Sequence, residues 1–186
     1  MDRKKIPWAQ IFIPVGIIAI IVVLGLMKNA HSQPDVPAIT EPTETVADHL
    51  AGADFSLNAT SQIDFAELSK YGLPIIVDYG ADSCIPCKQM APVLVKLNAE
   101  MQGKAFIKFV DVWEYYEAAG NVPVQMIPTQ FFFDADGKPF VPSDKLSAEI
   151  GFKMEYDKAG NHVYTTHVGG VTEAQMRAIL KEMGVE

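Results

Sequence analysis

The sequence predicts an α/β domain whose mixed sheet is flanked by helices, and three features lead to this fold class. Short apolar runs bounded by turn residues are typical of buried strands. Stretches with apolar residues three and four positions apart are typical of helices. The two kinds alternate from about residue 60 to the end of the chain, which favours a layered α/β arrangement.

The domain is predicted to begin with a short helix. Ser61 is followed three residues later by Asp64, a spacing that resembles a capping box, and Gly72 stops the pattern. We therefore expect a short helix that begins near Ser61. Behind it, the apolar run LPIIVDYG at 73–80 predicts a strand that is buried on both faces.

A longer helix is predicted from Cys84 to about Met101, because apolar residues recur there at helical spacing. Pro92 lies inside this helix and predicts a kink. Two further strands are predicted at 104–112 (KAFIKFVDV) and at 129–133, and the Asp-Gly of DADG closes a turn after the second.

The last third of the domain continues the alternation. WEYYEAAG at 113–120 is predicted to be a short helical or turn segment. The stretch 152–170 is interpreted as two strands around a Gly160-Asn161 turn. The final helix is expected to begin after Thr172 as N-cap and to stop at Gly184.

An apolar run precedes the domain. The residues from Ile11 to Met27 (IFIPVGIIAIIVVLGLM) carry no charge, and at about 1.5 Å per residue they cross most of a hydrocarbon core about 30 Å thick. Basic residues crowd its N-terminal side, so the positive-inside bias places the N-terminus in the cytoplasm and the domain outside. We therefore expect 1–28 to form a cytoplasmic N-terminus and a retained single-pass anchor in the cell membrane. A cleaved signal peptide is the alternative, although Lys28 stands where a small residue is wanted before a cut at Ala30.

Residues 29–58 contain prolines, threonines and acidic residues and keep no apolar period. We interpret this segment as an extended tether between the anchor and a domain at 59–186. The alternative is that residues 46–58 add a strand or helix to the domain.

Charge and ligand counts exclude two function classes. The net charge of the chain is −8, and such a surface repels nucleic acid. A structural zinc site needs four ligands, whereas one C-x-x-C supplies two. His162 and His167 are five positions apart on a predicted strand and point to opposite faces. We expect neither a nucleic-acid partner nor a metal.

The two cysteines of the chain, Cys84 and Cys87, lie at the start of the predicted long helix. Backbone N–H groups and the positive end of the helix dipole face Cys84 and favour its thiolate, while Cys87 lies one turn inside and is shielded. Cys84 can therefore attack a disulfide and Cys87 can resolve the product. The spacing also permits an intramolecular disulfide.

Several separated motifs resemble the thioredoxin family over about residues 60–186. They are IIVDYGADSCIPCKQMAPVL, MIPT and a VGG before the last helix. The resemblance implies a thioredoxin-like fold, with a central mixed sheet flanked by helices and here preceded by one transmembrane helix. The matching positions are Asp78 six residues before Cys84, Pro86, Pro92 and Ile127-Pro128-Thr129.

The resemblance also implies roles. Asp78 would be desolvated, with a raised pKa, and would act as general base toward Cys87; a half-exposed strand-end carboxylate is the alternative. A cis bond before Pro128 would turn the Ile127 backbone toward the cleft, where an extended substrate could pair with it. The implied catalytic residues are Cys84, Cys87, Asp78 and Pro128, and the implied substrate contacts are Ile85, Pro86, Ile127 and Thr129.

The chain also departs from the family pattern. Ser83 and Ile85 stand where the family usually has Trp and Gly, so substrate choice and redox potential do not carry over. Lys108 is the nearest candidate for the lysine that often partners the buried acid. The segment from about 140 to 163 is longer than the common fold needs, and we interpret it as a strand-bearing insertion.

The motifs and the expected topology together predict a thiol-disulfide oxidoreductase that reduces protein disulfides in exported proteins through the Cys84/Cys87 dithiol. The redox-active disulfide replaces a cofactor. The family resemblance implies that electrons outside the cytoplasm come from a membrane protein that draws on cytoplasmic thioredoxin. Two alternatives stay open: an oxidase that donates its disulfide, and a non-catalytic binding module with the same fold.

Overall fold

The computed structural model describes residues 49–185. In this part of the chain a five-stranded sheet has the order β2-β1-β3-β5-β4. β1 is parallel to β2 and antiparallel to β3, and β5 is antiparallel to both β3 and β4, so the expected mixed sheet is confirmed. The strands are β1 (Ile75–Gly80), β2 (Phe106–Asp111), β3 (Thr129–Phe133), β4 (Lys153–Tyr156) and β5 (His162–Val168).

Helices cover both faces of this sheet. One core cluster joins side chains of α2, α3 and α4 to one face, and a second joins α1 and a 3₁₀ turn to the other face. β1 contributes to both clusters and is buried along its whole length, as the apolar run predicts. The helices are α1 (Phe65–Ser69), α2 (Ile85–Glu100), the 3₁₀ turn (Tyr116–Ala119), α3 (Asp144–Ile150) and α4 (Glu173–Glu182).

Most predicted boundaries are confirmed. α2 follows Cys84 as N-cap, ends at Met101 as C-cap and continues through Pro92. The turn after β3 is closed by hydrogen bonds between Asp134 and Lys138, with Gly137 at a φ of 73° that favours glycine. α4 begins after Thr172, whose side chain forms a capping box with Gln175.

The start of α1 differs from the prediction. The N-cap is Asp64, not Ser61, because the Asp64 carboxylate accepts the backbone N–H of Glu67. The capping-box interpretation of Ser61 is therefore wrong. Asp64 is the cap itself, since its short acceptor reaches the exposed N–H groups of the first turn.

The structure contains a helix inside the segment 140–163 that the sequence analysis did not predict. α3 begins after Ser143, whose hydroxyl accepts the N–H of Leu146, and it ends at Gly151 in the left-handed conformation. The helix turns Leu146 and Ile150 into the core shared with α2 and α4. Its seven residues carry too short an apolar period to be distinguished from a loop. The predicted strands of this segment are present as β4 and the start of β5.

The end of the predicted tether packs on the domain. The ring of Phe55 stacks on that of Phe106, with 4.6 Å between the ring centroids. Next along the chain, the backbone of Phe109 bonds to Leu57 and Ala59, which adds a short parallel bridge beside β2. The domain therefore begins before residue 59, in agreement with the alternative given for 46–58, because the edge of β2 offers backbone partners and Phe106 offers an apolar surface.

The predicted anchor at 1–28 and most of the tether lie outside the described residues. Between residues 49 and 185 the structure contains no helix that is both long and apolar enough to cross a bilayer.

Candidate active site

The first turn of α2 carries the two sulfur atoms. Cys84 and Cys87 form a disulfide with 5.3 Å between their Cα atoms. The Cys87 N–H donates to Cys84 Sγ at 3.4 Å, so Cys84 occupies the N-cap position where thiolate charge is favoured. Cys84 is 8% exposed and Cys87 is 3% exposed. The accessible surface thus favours Cys84 as the attacking sulfur, as the spacing predicts.

The loop before β3 lies against this disulfide. The Ile127-Pro128 peptide bond is cis, which confirms the prediction. The carbonyl oxygen of Ile127 lies 4.0 Å from Cys84 Sγ. Thr129 is buried, and its hydroxyl donates to Met126 O at 2.7 Å, so this side chain closes the loop.

Two of the predicted substrate contacts lie at the surface. Ile85, between the cysteines, is 72% exposed, and Pro86 beside it is also exposed. An apolar side chain that is this exposed beside the disulfide is available to a docking protein. Their contact with substrate stays a prediction.

Asp78 is fully buried on the α2 side of the sheet. It is 0% exposed, so the alternative of a half-exposed carboxylate is wrong. Burial raises the pKa of this carboxyl to about 7, and the hydrogen bond from Gln130 Nε2 to Oδ1, at 2.7 Å, opposes the rise. Within the described residues Oδ2 has no hydrogen-bond partner. Asp78 is therefore an acid whose proton is exchangeable near neutral pH.

Gly80 brings Asp78 and Cys87 together. A Cβ built at Gly80 would lie 3.2 Å from Cys87 Sγ and 3.3 Å from Asp78 Oδ2. The two atoms thus flank the same point, and any side chain there would crowd them. A buried carboxyl group on the same side of Gly80 as the Cys87 sulfur is a candidate partner for proton exchange with it.

A cavity of about 180 Å³ borders Cys87. Its walls include Leu57, Phe109 and Cys87, and Asp82 and Lys88 also line it. Phe109 and Cys87 also border Gly80. The cavity therefore shares two of its lining residues with the surroundings of Gly80.

Lys108 does not partner Asp78, which corrects the candidate assignment. It pairs in register with Val77, whereas Asp78 pairs with Phe109, so Lys108 faces the opposite side of the sheet. Its ammonium group lies 2.9 Å from Asp54 Oδ2 and 2.8 Å from Ser56 O. Hydrogen bonds from Ser56 and Lys108 lower the pKa of Asp54 to about 2.

Two functional candidates were missed by the sequence analysis, Gln130 and Asp111. Both are polar residues within or at the end of a buried strand, which was the available signal. Asp111 accepts the backbone N–H of Asp82 at 2.8 Å and of Trp113 at 2.9 Å. It thereby ties the loop before Cys84 to the loop after β2. Burial raises the pKa of Asp111, but these backbone hydrogen bonds outweigh burial and hold it below the usual value.

The histidines take structural partners. His162 contacts Thr165 and the carbonyl of Tyr164, and His167 contacts the carbonyl of Gly151. No group of three or more His, Cys, Asp or Glu side chains within residues 49–185 is arranged to hold a metal ion.

A family model described as thioredoxin matches residues 58–150, half of the chain. This chain belongs to the thioredoxin family. Its α/β fold is the thioredoxin-like fold, and its Cys84–Cys87 pair supports thiol-disulfide oxidoreductase activity, which this family exerts on protein disulfides. As in other thioredoxins, the redox-active disulfide serves in place of a cofactor.

Relatives support the assignment. A thioredoxin of Staphylococcus aureus is 41% identical over 84 residues, which cover 45% of this chain and 74% of the relative. The chloroplastic thioredoxin-like protein CITRX2 of Nicotiana benthamiana is 32% identical over 101 residues, which cover 53% of this chain and 56% of that protein. The match thus spans little more than half the length of the Nicotiana protein.

Solved structures of thioredoxins also match. Fasciola hepatica thioredoxin is 25% identical, with a TM-score of 0.46 over 69% of this chain and 99% of the other. Malassezia sympodialis thioredoxin (Mala s 13) is 22% identical, with a TM-score of 0.45 over 70% and 92% of the two chains.

Proposed function

We propose that this thioredoxin is anchored in the cell membrane by residues 11–27, faces the extracytoplasmic side and reduces disulfides of exported proteins. A membrane protein would supply its electrons. The charge-free span and the basic residues before it support the topology. The observation that supports the reducing direction is the Ile85-Pro86 pair between the cysteines, which adds no cation or side-chain donor for the Cys84 thiolate.

Beyond the helix N-terminus that faces Cys84, the two residues between the cysteines add nothing that stabilises its thiolate. Ile85 and Pro86, between the cysteines, supply no cation or side-chain hydrogen-bond donor. A disulfide is a strong oxidant when its reduced form is stabilised, so poor stabilisation of the thiolate favours a low reduction potential. A low reduction potential is typical of a protein that reduces disulfides.

The chemistry of reduction follows from the placement of the groups. The Cys84 thiolate attacks a substrate disulfide, forms a mixed disulfide and releases one substrate sulfur as a thiolate. Asp78 then takes the proton of Cys87, and the Cys87 sulfur attacks Cys84 Sγ. The second substrate sulfur leaves, and Cys84–Cys87 is oxidised as the substrate gains two electrons and two protons. The electron donor then reduces the pair by the reverse exchange.

The reduction potential of the Cys84/Cys87 pair tests the direction. The full chain is equilibrated with thiol buffers of defined potential, and alkylated thiols are counted. We expect a value near the thioredoxin end, about −270 mV. A value nearer about −120 mV would make the protein a disulfide donor and would support the oxidase alternative.

Labelling of intact cells tests the topology. The reduced Cys84 thiol of the full-length protein is expected to react with a membrane-impermeant maleimide added outside the cytoplasmic membrane. A single cysteine placed at Asp2, in a chain that lacks Cys84 and Cys87, is the matched control and should react only after the membrane is opened. The reverse pattern would place the domain in the cytoplasm and end the proposal of exported substrates.

A further inference from the structure

Gln130 is a buried amide in an otherwise apolar strand. It lies on β3, is 0% exposed and pairs in register with Asp78 on β1. A buried side-chain amide costs stability unless its polar atoms have partners. Its position directly beside the buried acid therefore needs a physical account.

Two contacts fix the direction of this amide. Gln130 Nε2 donates to Asp78 Oδ1 at 2.7 Å and to the carbonyl oxygen of Gly169 at 3.1 Å. Both partners are acceptors, so the amide nitrogen is the end that faces the carboxyl group. The N–H of Gly169 in turn donates to Pro128 O at 2.8 Å. Gln130 therefore connects Asp78 to the loops that border the disulfide.

These contacts make the two carboxyl oxygens of Asp78 unequal. Oδ1 is held by Gln130, and Oδ2 lies beside Gly80 on the side of Cys87. We propose that Gln130 is a positioning residue that holds Asp78 through Oδ1, so that Oδ2 is the oxygen that exchanges a proton with Cys87. The inference rests on the proposed role of Asp78 as the base for Cys87.

The titratable groups that face this pair come from two elements of the described structure. α2 contributes Cys87 and the non-titrating sulfur of Met90, which lies 3.6 Å from Gln130 Nε2. β5 contributes His167, which pairs in register with Gln130. β2 contributes the uncharged ring of Phe109. A His167→Gln variant therefore separates histidine titration from that of Asp78.

The experiment is a single-turnover reaction of the reduced full-length protein with a symmetric chromogenic aryl disulfide. Release of the first aryl thiol reports attack by Cys84, and release of the second reports resolution by Cys87. In Gln130→Met the carboxylate loses its donor, so the pH midpoint of the second release should rise by about one unit. The second release at pH 7 should slow by about fivefold, and the first should keep its rate.

Thr165→Val is the matched control. Thr165 is also buried in the sheet, and its hydroxyl bonds to the Phe140 carbonyl, away from Asp78. This variant should lose stability without a shift of the pH midpoint, and His167→Gln should keep the midpoint as well. A Gln130→Met protein that loses stability like Thr165→Val but keeps the parent midpoint would show a structural role only and overturn the inference.

The Asp78→Asn variant distinguishes the two possible failures. If it abolishes the pH dependence of the second release while Gln130→Met leaves the midpoint in place, the inference about Gln130 fails alone. If Asp78→Asn itself leaves the second release unchanged, the proposed role of Asp78 fails, and the inference about Gln130 fails with it.

Discussion

Replacing Cys87 with Ser will stop turnover after the first chemical step. Cys84 keeps its N-cap position and its exposed edge, so it still attacks a substrate disulfide. No second sulfur then resolves the product, and a mixed disulfide accumulates in a one-to-one ratio. Steady-state reduction should fall by at least about 10³-fold, as expected when one member of a catalytic unit is removed. Turnover with an insulin-type substrate and the intact mass of the adduct measure the two effects.

The Cys84→Ser variant is the matched control for this result. It leaves Cys87, which is 3% exposed, as the single thiol. This variant should show neither turnover nor the mixed disulfide, because the buried sulfur does not reach substrate. Activity retained by Cys84→Ser would mean that the thiols are structural and that the fold acts as a binding module.

Replacing Asp78 with Asn will slow the resolving step and stabilise the oxidised protein at alkaline pH. General-base assistance contributes about 10²- to 10⁴-fold to such steps, so the release of the second substrate thiol should slow by at least about 100-fold at pH 7. The stability effect has a separate cause, which is the cost of a buried carboxylate charge.

The sign of the stability effect follows from the pKa of Asp78, which burial raises from 3.8 to about 7. Between these values the folded state binds more protons than the unfolded state, so parent stability falls as the pH rises through this range. The Asp78→Asn variant does not lose stability in this way, because its amide does not ionise. Its advantage should therefore be absent below about pH 4 and reach as much as about 4 kcal/mol well above pH 7. Chemical denaturation of both proteins at pH 4 and pH 9 measures the difference.

Asp111→Asn is the control with the opposite sign. Backbone hydrogen bonds hold the pKa of Asp111 below its usual value, so its carboxylate stabilises the folded state above pH 4 and loses this effect as the pH falls. Its Asn variant should be less stable than the parent at pH 9. An Asp78→Asn protein no more stable than the parent at pH 9 would contradict the desolvation of Asp78.

The sequence was sufficient to predict the position of a residue in the fold where a local pattern and a family motif agreed. Cys84 and Cys87 at the start of α2, and Asp78 in a buried strand, have the positions that the motifs imply. Composition and periodicity do not show that the bond before Pro128 is cis. That prediction came from the resemblance of its loop to the family motif. The roles of these residues in substrate reduction stay predictions.

Other features depended on which side of the sheet a residue faces. Lys108 and Gln130 are each a polar residue inside a buried strand, and the sequence analysis named only Lys108 as a candidate neighbour of Asp78. Strand pairing places Gln130 beside Asp78 and Lys108 on the other face. The sequence of one strand does not show how that strand aligns with its neighbours. The residue beside Asp78 could therefore not be identified from the sequence.

The bridge that Leu57 and Ala59 form with Phe109 also affects how the sheet meets unfolded chains. A bare strand edge pairs with any extended polypeptide and so promotes aggregation. Here β2, one edge of the sheet, is covered at Phe109. β4, the opposite edge, is only four residues long, carries Lys153 and Glu155, and has an irregular register beside Glu155. Both edges of the described sheet are thereby protected against pairing with an extended chain, including a protein substrate under the proposed function.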